Sequence, residues 1–221
     1  MDRFHTAGYA IIPDVLGPPE CVNIADRIHS ATASGGTRRL LDHGWCVELA
    51  QRLRGAPALS GLVDAAHVAV QCTYFEKSAS RNWLVPVHQD LSVPVAARVA
   101  DPGLSGWSEK EGSLFVQAPV ALLAQLVAVR VHLDECTNAD GPLRVVPGSH
   151  QQGVITADAA VRARQETAEV VCTAAQGTAL VMRPLLLHAS SKSTGSSRRR
   201  VLHFLFGPAD PGHGLRWQHA A

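Results

Sequence analysis

The stretch HVAVQCTYF, residues 67–75, is rich in β-branched and aromatic residues and holds neither glycine nor proline, the composition of a strand. It marks a change of character within a chain of 221 residues. Downstream come further short runs of the same kind, at 84–87, 114–116, 127–133, 143–146, 170–173, 178–182 and 201–206. Turn residues punctuate them: Asp101-Pro102-Gly103, Asp140-Gly141-Pro142, Pro147-Gly148-Ser149 and Gln176-Gly177. Upstream, Pro18-Pro19-Glu20 opens a helix to about residue 33, because proline and an acid suit a first turn, and Ser34-Gly35-Gly36 closes it. Two more helical patterns cover 45–54 and 57–66, residues 4–15 read as an extended lead-in, and 158–169 reads as a short helix or a loop. A helical support over 1–66 followed by many short strands over 67–206 predicts a mainly β fold. Its antiparallel sheets would close into a jelly roll, a cupin-like double-stranded β-helix, with the N-terminal α-helices outside. No repeat or linker divides the chain, so a single domain over 1–221 is expected.

Composition excludes several classes. Twenty basic against nineteen acidic residues give a net charge of +1, so no basic field draws nucleic acid or an anionic membrane. No apolar run approaches the roughly eighteen residues of a membrane span, and the first residues hold no signal-peptide core. Five cysteines, an odd number without a Cys-x-x-Cys pair, argue against a disulfide framework and a zinc knuckle. They read as small buried apolar residues in a reducing cytoplasm. The expected partner is a small molecule; oligomeric state is not legible.

The chemistry starts at VPVHQDL, residues 85–91. Side chains two apart on a strand share a face, so His88 and Asp90 point together and Gln89 points away. One imidazole and one carboxylate on one face supply two ligands of a facial triad, which suits Fe(II) with open positions. A strand-end ion pair accounts for the same two residues. His188, after the apolar run 185–187, reads as a third ligand or as a hydrogen-bonded, partly buried histidine. Arg199, eleven residues later, heads the strand RRRVLHFLF, residues 198–206. A guanidinium entering a barrel needs an anionic partner, and a dicarboxylate held bidentately is one. A solvated basic turn is the expectation for at least one of Arg198 and Arg200.

VPVHQD (85–90), GPLRVVPGSHQQG (141–153) and LLLHASSKSTGSSRRRVLHFLFG (185–207), in that order, resemble the phytanoyl-CoA dioxygenase family of Fe(II)/2-oxoglutarate oxygenases. FHTAGYAIIPDVL, residues 4–16, is similar to the family's N-terminal segment. The resemblance implies an enzyme using Fe(II), 2-oxoglutarate and O2. His88, Asp90 and His188 would bind iron and Arg199 the far carboxylate of 2-oxoglutarate, with Ser190 and Gln71 beside it. Thr73 and Lys77 are weaker candidates for the same subsite. His150 would fix its loop. The implied reaction is hydroxylation of a small molecule, with succinate and CO2 as co-products. Halogenating relatives lack the carboxylate that Asp90 supplies, so the resemblance points away from halide transfer.

The stretch 91–119, punctuated by glycine and proline, reads as a lid insertion, with Trp107 as its lid residue or a hydrophobic plug. Alternation from Arg199 places His203 on the cavity face. Trp45, Trp83, Arg130 and His132 line the pocket or serve core packing. Three other readings stand open. The same metal site would serve desaturation, epoxidation or rearrangement, the fold would be kept as a catalytically silent binding protein, or the site would be a zinc hydrolase. An intact triad with Arg199 argues against the silent protein, and a hydrolase leaves Arg199 without a role.

Overall fold

A computed structural model describes residues 2–31 and 36–221. The order of elements is α1 (Asp2–Ala7), β1 (Tyr9–Ile12), α2 (Pro18–Ala31), β2 (Gly36–Thr37), α3 (Gly44–Gly55) and β3 (His67–Lys77). Next come β4 (Val85–His88), β5 (Ser92–Val95), β6 (Ser105–Lys110), β7 (Ser113–Gln117), α4 (Val120–Leu123) and β8 (Val127–His132). The chain ends with β9 (Leu143–Val145), α5 (Ala157–Glu166), β10 (Val170–Cys172), β11 (Ala179–Met182), β12 (His188–Ser190) and β13 (Arg199–Pro208).

The strands form the two faces of a jelly roll. A six-stranded sheet runs β1-β11-β8-β13-β3-β2, and a four-stranded sheet β10-β9-β12-β4 faces it. Alternation sorts the large sheet into an outer apolar face and an inner chemical one. Val127, Val129 and Val131 of β8 and Leu202, Phe204 and Phe206 of β13 pack outward against α2 and α3 residues such as Ile24, Ile28, Leu49 and Leu53. The residues between them, Arg130 and His203 among them, turn toward the second sheet. A β-bulge where Leu205 and Phe206 of β13 meet Gln71 and Ala69 of β3 skips Val70. Val70 and Gln71 therefore both face inward, and Gln71 enters the central cavity.

Three expectations change. Residues 4–15 are not wholly extended: α1 ends at Gly8, whose φ of +82° reverses the chain before β1. Gly8 also lies under the His150 ring, where a Cβ would meet Nδ1 at 2.4 Å. Residues 57–66 form only a short 3-10 turn, Pro57–Leu59, because Gly61 at φ +74° breaks the run once Leu59 is buried. Within 91–119 the chain forms an ordered three-stranded sheet, β5-β7-β6, whose β7 holds the expected 114–116 run. Residues 158–169 resolve to α5, capped by Thr156. The end of the helix opened by Pro18, at Ser34-Gly35, lies outside the described residues. All five cysteines are buried and unpaired, and no described helix is long and apolar enough to cross a membrane.

Candidate active site

β4 and β12 pair so that His188 lies opposite His88, with ring centroids 4.2 Å apart. Asp90 follows β4, its backbone N–H donating 2.9 Å to the Pro184 carbonyl. Its Oδ1 lies 3.6 Å from His88 Nε2 and its Oδ2 3.7 Å from His188 Nε2. One donor atom from each of the three falls within 4.8 Å of the others. Among the described residues this is the group of three such side chains able to hold a metal ion.

Both imidazoles are held in one tautomer by the chain itself. His88 Nδ1–H donates 2.9 Å to the Pro86 carbonyl, and His188 Nδ1–H donates 2.8 Å to the Leu186 carbonyl. Each Nε2 is then an unprotonated lone pair aimed at the same point, the arrangement metal-bound histidines need. Gln89, facing away, bolts the turn down. Its Nε2 donates to the carbonyls of Gly153 (2.8 Å) and Leu185 (2.6 Å), and its Oε1 accepts from the Ile155 N–H at 2.8 Å.

Electrostatics fit a cation. Burial works to raise the Asp90 carboxyl, but His188 and the His88 contact outweigh it and hold it far below the carboxylate range. Burial drives His188 down to about 4, so it stays neutral and free to ligate. His88 is raised, since its contact with Asp90 outweighs the burial that would lower it.

The triad opens on a cavity of about 430 Å³, whose walls include Gln71, Thr73, Ser190, Arg199 and His203. Arg199 is 4% exposed; it donates to the Gly141 carbonyl, and its Nε has no partner. Its neighbours show what the inward turn means. Arg198, more than half exposed, pairs with Glu76 at 3.0 Å, and Arg200 pairs with Asp134 at 2.7 Å. The flanking guanidiniums have carboxylates on the outer side, whereas Arg199 forms no ion pair with a carboxylate among the described residues and feels Asp140 only at a distance. Gly141, whose carbonyl also accepts from Ser190 Oγ at 3.0 Å, sits at φ +62° with the Ser191 carbonyl 2.4 Å from where a Cβ would be. Only glycine fits there. Lys77 reaches the same corner, donating 2.6 Å to both Ser190 Oγ and the Ser191 carbonyl.

His203 belongs to the cavity but is not one of the three donors. Its Nδ1 accepts from Arg130 Nη1 at 3.0 Å, so Nε2 carries the hydrogen and faces Asp90 Oδ2 at 3.9 Å. Burial and then Arg130 push it down to about 3, which keeps it neutral.

Arg130 and Trp83 also line the cavity, while Trp45 stacks on His43 away from it. His132 is buried beside the cavity and not on its lining. Trp107 is not on the lining either; it packs on the apolar cluster between the sheets, with the Arg98 guanidinium 5.2 Å from its ring centre. His150 lies 3.1 Å from the His5 carbonyl and fixes its loop to the N-terminal segment. Sequence reasoning gave no individual cavity role to Arg38, Lys110, Phe75 and Phe115, all on the wall. Strand alternation from Gln71 and Thr73 would have found Phe75. The other three come from segments joined only by folding: Glu111 accepts from Thr37 Oγ1, the Arg38 N–H and Arg38 Nη1, each at 2.9 Å, latching the β6–β7 turn beside the mouth.

Comparison with known proteins agrees with this geometry. A model of the phytanoyl-CoA dioxygenase family matches residues 4–201. L-proline trans-4-hydroxylase of Streptomyces griseoviridis is 24% identical, across 97% of this chain and 88% of its own length. HygX of Streptomyces hygroscopicus, solved with nickel and 2-oxoglutarate bound, has a TM-score of 0.64 at 18% identity, covering 93% of this chain and 84% of HygX. EctD of S. alaskensis, solved with 2-oxoglutarate and 5-hydroxyectoine, has a TM-score of 0.69 at 16% identity, covering 94% of this chain and 74% of EctD. The chain belongs to the phytanoyl-CoA dioxygenase family, and is a non-haem iron, 2-oxoglutarate-dependent oxygenase.

Proposed function

We propose that the chain hydroxylates a small molecule, holding Fe(II) through His88, Asp90 and His188 and anchoring the far carboxylate of 2-oxoglutarate on Arg199. One observation carries the reading: three converging donors and a buried guanidinium without a carboxylate partner open on one cavity. Either alone has a structural explanation. Together they suit a divalent metal, which His88, Asp90 and His188 would hold, and a dianionic cosubstrate, whose far carboxylate Arg199 would receive. The proline-hydroxylating relative supports a small-molecule substrate.

When bound, iron and 2-oxoglutarate supply the oxidation in which one atom of O2 enters succinate, formed with CO2, and the other the product hydroxyl. The protein supplies position and environment. The Pro86 and Leu186 carbonyls orient the ligating nitrogens, and Asp90 remains ionised at neutral pH. Ser190, Gln71 and Thr73 lie along the wall that leads to Arg199 and offer hydroxyl and amide groups to the cosubstrate. Phe115 and Leu205 keep water from the reacting centre. Asp90 fills a ligand position with its own carboxylate, which favours oxygen insertion over halide transfer.

The test is spectroscopic. Anaerobic Fe(II) plus 2-oxoglutarate should give a weak visible charge-transfer band in the wild type and none in folded His188→Ala. A wild type without the band would sink the proposal.

A further inference from the structure

Building on that reading of iron and cosubstrate, we infer that the substrate carries a carboxylate and that Arg130 receives it. Arg130 sits mid-strand in β8, flanked by Leu180 of β11 and His203 of β13. It is 7% exposed and lines the cavity. Nη1 donates to His203, Nε has no partner, and the guanidinium lies 5.5 Å from the centre of the Phe75 ring. Among the described residues no carboxylate forms an ion pair with it. A guanidinium has five donors, and leaving a charged one buried without an anion is costly. Its neighbours do not pair with it: Asp90 acts on it only from a distance and belongs to the metal donors, His203 carries no negative charge, and burial raises the Cys136 thiol.

Charge balance shows what is left over. Among the described residues, Asp90 is the only acid on the cavity lining. A divalent metal on Asp90 leaves one positive charge, and Arg199 makes two, which a dianionic cosubstrate cancels. Lys77 and Asp140, of opposite sign and both acting on Arg199, offset each other, and Arg130 remains charged at neutral pH and still unmatched. Arg38 and Lys110 also reach the wall, but Arg38 pairs with Glu111, and Lys110 is partly exposed and stacks over the Phe115 ring at 4.7 Å. The two inner guanidiniums start from different levels of the strands, although their side chains come close enough for Arg199 to lower Arg130. Arg199 meets Gly141 near Ser190, whereas Arg130 is in register with His203, four residues further along β13 and about 13 Å away along the strand. Arg130 thus belongs to the metal's level, where a bound substrate must lie. A carboxylate there, bidentate on Nε and Nη2, would satisfy the group.

Short aliphatic, hydroxy and amino acids, L-proline included, should be assayed for succinate formation beside their own primary amides. Acids and not amides should raise turnover by the wild type. In Arg130→Gln, KM for an active acid should rise about 30-fold, and calorimetric binding of that acid to the anaerobic Fe(II)·2-oxoglutarate protein should weaken equally. The charge-transfer titration with 2-oxoglutarate should move less than about twofold, which also shows that the variant folds. Arg130→Lys should recover part of the loss. Equal response to amides, or no response to any acid from a wild type that shows the band, overturns the carboxylate alone. Loss of 2-oxoglutarate affinity in Arg130→Gln also overturns it, because the guanidinium would then hold the cosubstrate. A wild type without the band overturns this inference together with the reading on which it rests.

Discussion

His88 and His188, far apart in sequence, stand directly opposite each other across the β4–β12 pair, 4.2 Å between ring centres. A metal on both would staple two strands whose backbone pairing is short and, by the shift between His188 and Ser190, irregular. Metal binding to the folded state alone raises stability by mass action. At a hundred times Kd the gain is about 2.7 kcal/mol, or roughly 5–10 °C in Tm for a chain of this size. Anaerobic Fe(II) should produce that shift in a thermal melt, and chelation should reverse it. Folded His188→Ala should show little of it; an equal shift there would place the metal elsewhere.

Gln89 never faces the cavity's metal donors, yet its three hydrogen bonds tie the turn between His88 and Asp90 to the 153–155 segment and to Leu185. Gln89→Ala strands two carbonyls and one N–H, at a cost of about 2–3 kcal/mol. The ligands it steadies would be less well aligned, and metal affinity should fall about 10- to 100-fold. Urea unfolding of the metal-free protein and a metal titration read the two effects separately. A stability loss with unchanged metal affinity would show that Gln89 only holds the loop.

Arg198, Arg199 and Arg200 offer an internal control, because alternation gives consecutive identical residues opposite surroundings. Arg199→Gln should raise KM for 2-oxoglutarate about 100-fold by removing a charge-assisted contact, leaving metal affinity nearly unchanged. Arg198→Gln loses an ion pair on a side chain more than half exposed, and should cost under about 1 kcal/mol of stability and no activity. Comparable activity loss in both variants would mean that Arg199 acts through the strand and not on the cosubstrate.

Period-two patterning made the strands legible because it is local. HVAVQCTYF announces β3, and RRRVLHFLF announces β13 together with the inward face of Arg199 and His203. His88 was legible for the same reason, whereas Asp90 lies just past the end of β4 and is placed by its bond to the Pro184 carbonyl. What failed was decided at a distance. Residues 57–66 have helical composition, but Leu59 plugs the core and Gly61 turns the chain. Within 91–119 only the run 114–116 reads as a strand, and its partners β5 and β6 show themselves only when they pair with it. Trp107 reads equally as lid or plug until its neighbours are known, and Arg130 reads as an ordinary strand residue until every nearby carboxylate proves to be engaged elsewhere.

Lys77 gives the cosubstrate corner a pH dependence. It is paired across β3 and β13 with Arg199, its ammonium donates to Ser190 Oγ and the Ser191 carbonyl, and it lies 5.6 Å from the centre of the Trp83 ring. Burial first, then Arg199 and Arg130, lower it from 10.5 to about 8; Cys136 pulls weakly the other way. The folded protein therefore releases this proton before the unfolded chain does. Between about pH 8 and 10.5 the unfolded state binds more protons, so this group's contribution to stability rises with pH. Cosubstrate binding reverses the sign. A carboxylate on Arg199 favours the ammonium, so binding takes up a proton, and affinity for 2-oxoglutarate should fall as pH climbs through 8, by at most tenfold per unit. Charge-transfer titrations from pH 7 to 9.5 should show that slope in the wild type and a flatter profile in Lys77→Met. An unchanged slope in Lys77→Met would assign the proton to another group and leave Lys77 as a strut beneath Ser190.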